Sequence, residues 1–181
     1  MIRKAILSLA LLSCSVWAGS KVSFETTLGS FTVELNEEKA PITVANFLKY
    51  VEDGSYEGTI FHRVIPGFMA QGGGFNQEMQ MVDTYEPIKN EGNNGLNNDQ
   101  ATIAMARTNA PDSATRQFYI NLVDNDFLNY GARPPGYAVF GQVTEGFDVI
   151  QNMAKQPTSS SGRMRDVPET QIVITKATLL K

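Results

Sequence analysis

The most informative part of the sequence is the stretch FHRVIPGFMAQGG, which runs from Phe61 to Gly73. Side chains alternate along extended backbone, so this stretch can project Arg63, Met69 and Gln71 to one side. The Pro66-Gly67 pair predicts a turn that folds the next residue, a phenylalanine, back toward them. The stretch therefore predicts an apolar pocket with a guanidinium at its rim. Such a pocket suits a ligand that carries a small apolar ring beside a polar backbone.

Outward from this stretch, the hydrophobic pattern predicts mainly β structure with two short helices. Alternating apolar and polar residues predict strands, and apolar residues at helical spacing predict helices. The predicted strands are 22–27, 30–35, 60–65, 68–71, 102–106, 117–121, 137–143 and 171–180, and the predicted helices are 41–51 and 147–153. The segments 60–65 and 68–71 are predicted to form either a strand pair or one bent strand. Many short strands without a strand–helix–strand rhythm favour an antiparallel barrel or sandwich, and the helices could plug the ends of a barrel. Residues 76–98 and 157–168 are predicted to be irregular, and we assign no role to residues 93–98.

Residues 1–18 have the pattern of an export signal. Arg3 and Lys4 form a basic start, and the apolar run that follows is too short to remain in a bilayer as a spanning helix. The small residue Ala18 precedes Gly19, which suits cleavage between them. We therefore predict a signal peptide over residues 1–18 and a single exported domain over residues 19–181.

A second interpretation of the same segment rests on Cys14. Bacterial lipoprotein signals also end in a small residue followed by a cysteine, which is lipidated and becomes the first residue of the mature protein. Lipid anchoring at Cys14 is therefore the alternative to cleavage after Ala18, although the apolar run before Cys14 is short. A buried N-terminal helix is a further alternative, which the basic start and the short apolar run disfavour.

Composition argues against several classes of function. The chain of 181 residues has a net charge of −4, and removal of Arg3 and Lys4 makes it −6. General nucleic-acid binding needs a basic face and is therefore disfavoured. Cleavage also removes the only cysteine, so no disulfide is predicted, and no later stretch is long and apolar enough to insert stably in a membrane. The single histidine, His62, argues against a Ser-His-Asp hydrolase or a zinc site, and we interpret it as a packed structural residue.

Five later motifs accompany the stretch described first. They read AMAR at 104–107, QFYIN at 117–121, DFL at 126–128, GYAVFG at 136–141 and RDVP at 165–168. With these motifs at these spacings, the chain resembles the cyclophilins, a family of peptidyl-prolyl cis/trans isomerases, and in particular their exported bacterial members. The resemblance covers essentially all of residues 19–181. It implies an eight-stranded antiparallel β-barrel capped by two α-helices, with the site on its outer surface.

The implied reaction is rotation about the peptide bond before proline, whose small ring fits the predicted pocket. Partial double-bond character gives this bond a barrier of about 18–20 kcal/mol, and uncatalysed exchange takes tens of seconds or more. Catalysis requires the twisted amide to be bound better than either planar form. It needs no nucleophile, metal or redox cofactor, and we predict none. In the twisted state the prolyl nitrogen has a usable lone pair, to which the Arg63 guanidinium can donate an N–H.

The resemblance assigns catalysis to Arg63, Gln71 and Phe68, with Gln71 bonding the substrate carbonyl or holding Arg63 in place. It also implies a set of residues that contact the peptide: Met69, Ala106, Arg107, Gln117, Tyr119, Phe127, Leu128 and Tyr137.

Members of this set would have different tasks. The pocket for the prolyl ring would be lined by Phe68, Met69, Tyr119 and Leu128. Gln117 would belong to the polar network of Gln71, and the outer wall would consist of Phe127 and Tyr137. Ala106 and Arg107 would present backbone groups to the peptide.

The sequence departs from the family pattern within this set. Tyr119 stands where many members have Phe, so its hydroxyl must reach water or find a partner. Phe127 and Tyr137 stand where eukaryotic members carry Trp and His. Both differences are shared with bacterial members, which tend to bind cyclosporin weakly. Arg107 replaces the more usual Asn. If this position works through its backbone, catalysis is kept and only the preference for charged groups near this position changes.

Two classes of function remain open at this point. One is an isomerase that acts on proline-containing, unfolded or extended polypeptides and assists their folding in the periplasm. The other is a non-catalytic module or holdase chaperone that binds such segments without accelerating exchange. Both need the pocket, but only the isomerase needs Arg63 at its rim, which favours the enzyme. We expect the protein to act as a monomer.

Overall fold

The computed structural model of the chain describes residues 19–132 and 134–180. This part of the chain contains the helices α1 (Pro41–Glu52) and α2 (Phe147–Met153) and a short 3₁₀ turn, Asp126–Leu128. Its strands are β1 (Lys21–Thr26), β2 (Gly29–Leu35), β3 (Arg63–Ile65), β4 (Met69–Gly72), β5 (Thr102–Met105), β6 (Phe118–Asn121), β7 (Val139–Glu145), β8 (Thr158–Ser161), β9 (Met164–Pro168) and β10 (Ile174–Leu180). Neither helix of this part of the chain has the length and apolar character needed to cross a membrane.

Eight of the strands form one antiparallel sheet in the order β10-β1-β2-β7-β5-β6-β4-β3. The predictions of mainly β structure, eight antiparallel strands and two helices are therefore confirmed, but the closed barrel is wrong. The sheet is strongly curled and open, because its end strands β10 and β3 share no ladder. Among the described residues the two ends meet at an isolated bridge between Ile60 and Val173. β3 has only three residues, so it offers few backbone groups for a longer seam.

The hairpin of β1 and β2 shows how alternation builds one wall of the core. Phe24 lies opposite Phe31 in the antiparallel register, and their rings stack with centroids 5.0 Å apart. Val22 lies opposite Val33 one step along the same face, and all four side chains are buried. Such cross-strand pairs stabilise a sheet, and here they fix the register of the hairpin.

Helix α1 covers the interior of the curled sheet. Pro41 occupies its first turn, where a missing N–H is tolerated. Phe47 is fully buried, and its ring centroid lies 6.1, 5.9 and 5.0 Å from those of Phe24, Phe118 and Phe140. These three rings come from β1, β6 and β7, so one helical side chain ties together strands that are distant along the sequence.

Strands β4 and β6 separate this core from a second, smaller apolar cluster. Ala70 and Ile120 are directly opposite each other and belong to the main core. The neighbouring residues Met69 and Tyr119 point to the other face, because side chains alternate along a strand. They join a cluster that is completed by Ala104, Leu128 and Val139. The sheet therefore presents a compact apolar patch on the face opposite its core.

The segment 157–168, which was predicted to be a loop, is a two-stranded hairpin of β8 and β9. Its first strand reads TSSS and has no buried residue. A strand with both faces near solvent shows no apolar alternation, so the sequence pattern gave no signal for it. The hairpin packs β9 beside β3, at the free end of the sheet.

Candidate active site

The stretch from Phe61 to Gly73 forms the strand pair β3–β4, one of the two arrangements that the sequence predicted. Arg63 lies opposite Gln71, and Ile65 lies opposite Met69. Directly opposite residues share a face of an antiparallel pair, and Met69 and Gln71 are two positions apart, so Arg63, Met69 and Gln71 point to one side. Between the strands, Gly67 adopts a left-handed φ of 69°, and the Phe68 N–H donates to the Ile65 carbonyl over 3.0 Å.

A cavity of about 140 Å³ opens on this face. Its lining consists of nine residues, all of which the resemblance had proposed: Arg63, Phe68, Met69, Gln71, Ala106, Arg107, Tyr119, Leu128 and Tyr137. Apolar groups form its floor and two guanidinium groups stand at its edge. The size and chemistry suit one small apolar ring attached to a polar chain.

Gln117 does not line the cavity, but its side chain hydrogen-bonds to that of Gln71, which does. The Gln71 side-chain N–H donates to the Gln117 side-chain oxygen over 2.9 Å. Gly74 makes room for this side chain, since a Cβ at position 74 would lie only 2.4 Å from Gln117 atoms. Gln71 keeps its own oxygen and a second N–H for other partners. Gln117 therefore holds the amide of Gln71 in a fixed orientation at the cavity.

Tyr119 forms part of the floor, and its hydroxyl finds a protein partner. The Tyr119 O–H donates to the Asn98 side-chain oxygen over 2.7 Å, and both residues are buried. Burial raises the pKa of Tyr119 well above its ordinary value, so the phenol stays neutral. Asn98 also accepts an N–H from Asn121 at 3.3 Å. The segment to which we assigned no role thus supports the floor of the cavity, a contact for which the local sequence carries no signal.

One wall of the cavity is stiffened by Arg107. Its guanidinium lies 4.3 Å from the centre of the Tyr137 ring and donates two N–H bonds, of 3.2 and 3.0 Å, to the Gly136 carbonyl. The backbone N–H of Ala106 donates to the Gln117 carbonyl over 2.9 Å. Any ligand that bonds to the Ala106 backbone must therefore use its carbonyl oxygen.

Phe127 stands apart from the cavity lining. Its side chain belongs to the short turn before Leu128 and is 53% exposed. Its ring centroid lies 5.6 Å from that of Phe68, which does line the cavity. Phe127 can therefore extend an apolar surface outward from the cavity without contacting a ring bound inside it.

Two positively chargeable residues near this region serve the scaffold. His62 is 6% exposed and packs on Phe75, and burial together with the adjacent Arg63 lowers its pKa to about 4. The buried Arg116, which sequence reasoning missed, donates to the carbonyls of Gly73, Asp83 and Ser55. The described residues contain no group of three or more His, Cys, Asp or Glu side chains placed to hold a metal ion.

A larger recess, of about 330 Å³, lies elsewhere on the molecule. Its lining includes four carboxylates, from Glu34, Glu37, Glu38 and Asp99. It lacks the aromatic and thioether floor of the smaller cavity. The smaller cavity is therefore the better candidate for a site that binds a small apolar ring.

Curated relatives span nearly the whole chain. The family model described as cyclophilin type peptidyl-prolyl cis-trans isomerase matches residues 21–179. The peptidyl-prolyl cis-trans isomerase cyp18 of Streptomyces antibioticus is 54% identical over 164 residues, which cover 89% of this chain and 99% of that protein. Peptidyl-prolyl cis-trans isomerase B of Escherichia coli is 50% identical over 161 residues, which cover 87% of this chain and 98% of that protein.

Solved structures agree with these relatives. A cyclophilin type peptidyl-prolyl cis-trans isomerase of Cryptosporidium parvum superposes with a TM-score of 0.73 at 25% identity, over 90% of this chain and 98% of that one. The same protein was solved in the presence of the dipeptide Ala-Pro, and that structure superposes with a TM-score of 0.72. The sequence, the fold and the cavity agree, and the chain belongs to the cyclophilin-type peptidyl-prolyl cis-trans isomerases, enzymes that accelerate rotation about the peptide bond before proline.

Proposed function

We propose that the cavity on the β3–β4 face binds the prolyl ring and that Arg63 donates an N–H to the prolyl nitrogen as the amide twists. The observation that carries this proposal is the position of Arg63. Its side chain is 42% exposed at the rim of the cavity, directly opposite Gln71. A planar amide nitrogen has no free lone pair, so this bond is available only near the transition state, which is the requirement for catalysis.

Gln71 is the second polar group that we place on the substrate. One of its N–H groups is held by Gln117, which leaves the other N–H and the oxygen free. We assign the free N–H to the carbonyl oxygen of the residue before proline. The carbonyl of Ala106 would accept an N–H of the peptide, since its own N–H is already bonded.

The proposal for Arg63 is tested by comparing Arg63→Lys with Arg63→Ala. Lysine keeps the charge but loses the planar fork of donors, so turnover should fall partly in Arg63→Lys and by about 10²- to 10³-fold in Arg63→Ala. Arg107→Lys is the matched control, because it changes the other guanidinium of the lining while the side chain of Arg107 is already bonded to Gly136. A loss in the control as large as that in Arg63→Ala would contradict the assignment.

For the cellular role, we propose that the enzyme assists the folding of exported polypeptides in the periplasm. The support is the signal-like pattern of residues 1–18, which lie outside the described residues, and the slowness of proline exchange during folding. Expression of the full chain in a bacterium, followed by fractionation and mass spectrometry, tests this. A periplasmic product that begins at Gly19 supports it. A lipidated product that begins at Cys14 supports the anchored alternative, and a cytoplasmic product contradicts both.

We further propose that the protein acts as a monomer and binds cyclosporin weakly. Support for the second point comes from Phe127, which is exposed and stands outside the cavity lining, where a larger Trp would offer more contact area. Phe127→Trp should therefore tighten cyclosporin binding in a calorimetric titration. Unchanged affinity would assign the weak binding to other residues, and light scattering on the native protein tests the monomer.

A further inference from the structure

The guanidinium of Arg63 has an ionic partner outside the cavity. Asp166, in strand β9, places a carboxylate oxygen 3.7 Å from Nε of Arg63, and its side chain is 40% exposed. The segment 158–168 contains two arginines, Arg163 and Arg165, and a single carboxylate. That one carboxylate is the group that faces Arg63.

The backbone of the hairpin is distorted at the point that aims this carboxylate. Ser159 pairs with Val167 and Ser161 pairs with Met164, so two steps along β8 correspond to three steps along β9. The extra residue makes a β-bulge, a device that redirects a side chain and that recurs beside active sites. Within the bulge, Asp166 adopts a left-handed φ of 60°, which Asp and Asn accept more readily than other side chains.

We propose that Asp166 is a positioning residue that orients Arg63 for catalysis, a role that rests on the proposed function of Arg63. A guanidinium has five N–H donors, one on Nε and two on each terminal nitrogen. The carboxylate lies nearest the Nε edge, which leaves the terminal nitrogens free to face the prolyl nitrogen. Because the Arg63 side chain is long and half-exposed, it would otherwise sample many rotamers, and a fixed orientation reduces the entropy lost at the transition state.

The bulged hairpin therefore supports the arginine at the rim of the cavity. β9 packs beside β3, the strand that carries Arg63. The hairpin lies outside the eight-stranded sheet and supplies the carboxylate that pairs with Arg63. In the described part of the chain, no strand of that sheet supplies an ion-pair partner for Arg63. In this arrangement the sheet builds the cavity, and the hairpin fixes the donor at its rim.

The test uses Asp166→Asn in the otherwise intact protein, with Glu169→Gln as the matched control. Asn keeps the size of the side chain and tolerates the left-handed backbone, so only the charge is lost. We expect kcat for an Ala-Pro peptide to fall about 3- to 10-fold in Asp166→Asn, with KM changed by less than about twofold, because the pair positions a donor and does not bind the ring. Glu169→Gln removes a carboxylate just beyond the same hairpin and should leave both constants unchanged. If Asp166→Asn does not fold, Asp166→Gly relieves the left-handed backbone and removes the same charge.

A double-mutant cycle separates positioning from a structural role. In the Arg63→Ala background, Asp166→Asn should change turnover by less than about 1.5-fold, since the group it orients is gone. Two results would overturn this inference and leave the role of Arg63 intact. One is an equal loss of turnover from Asp166→Asn in the native and Arg63→Ala backgrounds. The other is a native kcat in Asp166→Asn while Arg63→Ala is inactive. Native turnover in Arg63→Ala would instead overturn the proposed function, and this inference with it.

Discussion

The hydroxyl of Tyr119 shows how one buried polar group is satisfied beneath the cavity. Its bond to Asn98 is 2.7 Å long, and loss of a buried hydrogen bond costs about 1 kcal/mol. Tyr119→Phe should therefore lower the free energy of unfolding by about that amount in urea denaturation. Turnover should stay near the native value, because the ring that lines the cavity is kept. Tyr130→Phe, at an exposed tyrosine, is the control and should change neither quantity.

The single histidine predicts a specific pH dependence of stability. The pKa of His62 is about 4 in the folded protein, whereas an exposed histidine titrates near 6.5. Below about pH 6.5 the unfolded chain binds a proton on this histidine more readily than the folded protein does. The free energy of unfolding that depends on a neutral, buried His62 is therefore complete above that pH and is lost as the pH falls toward about 4. The loss should approach about 1.4 kcal/mol per pH unit within this window.

Urea denaturation at about pH 7 and pH 5 measures this effect, with His62→Gln as the comparison. The native protein should lose more stability than the variant between the two pH values. Carboxylates such as Glu37 and Asp53, whose pKa values are lowered by hydrogen bonds, titrate in both proteins and cancel in the comparison. Equal losses in the two proteins would show that His62 does not carry the effect.

Which site residues could be predicted depends on how far apart their partners lie. Arg63, Met69 and Gln71 lie within nine positions of the chain, and strand alternation alone placed them on one face. Asn98 and Asp166 were missed as site residues because their partners are 21 and 103 positions away, where no local pattern links them. Phe68 followed from the turn at Pro66-Gly67. The other lining residues came from the resemblance to cyclophilins, and periodicity alone would not have selected them.

At the level of the elements, helix α1 begins without a capping side chain of its own. Ala40 cannot cap it, and the carboxylate of Glu91, far along the chain, accepts the N–H groups of Ile42 and Thr43 over 3.1 and 2.8 Å. A negative charge at a helix N-terminus bonds free N–H groups and interacts favourably with the helix dipole. The long loop that contains Glu91 therefore contributes to the start of α1.

Glu91→Ala should lower the free energy of unfolding by about 1–2 kcal/mol and speed hydrogen exchange in the first turn of α1. Glu86→Ala removes an exposed carboxylate from the same loop and serves as the control. An unchanged unfolding midpoint in Glu91→Ala would mean that water replaces the carboxylate at no cost.

The elements that the sequence predicted best are those with one buried face. The hairpin β1–β2 and both helices have strong apolar periodicity and were predicted with nearly the observed bounds. In the hairpin β8–β9, β8 has no buried residue and only Val167 and Pro168 of β9 are buried, and Asp166 has a left-handed φ. This hairpin packs beside β3, a tertiary contact that the apolar periodicity of the sequence does not indicate.

At the level of the whole molecule, one aromatic side chain joins helix and sheet. Phe47→Ala would leave a cavity among the rings of three strands, and such substitutions cost about 3–5 kcal/mol. We therefore expect a large fall in the urea midpoint with a single cooperative transition. Phe127→Ala, at an exposed ring, should cost under about 1 kcal/mol. Similar costs for the two variants would contradict the view that α1 completes the core.

The overall architecture was predictable except for the closure of the sheet. The pattern of strands and helices gave the antiparallel β class and the two helices, and the resemblance supplied the eight-stranded barrel. Whether the ends join depends on the length of β3 and on the bridge between Ile60 and Val173, which are set by tertiary contacts. The sequence pattern, which predicted one longer strand over 60–65, could not distinguish an open curled sheet from a closed barrel.

NMR exchange spectroscopy on a short Ala-Pro peptide, with the native protein or Arg63→Ala at catalytic concentration, tests the role of Arg63 in catalysis most directly. The same spectra report binding through line broadening and turnover through cis–trans exchange peaks. We expect rapid exchange with the native protein and, with Arg63→Ala, retained binding but exchange reduced by about 10²- to 10³-fold. Native exchange rates in Arg63→Ala would contradict the assignment of Arg63 as the donor to the prolyl nitrogen.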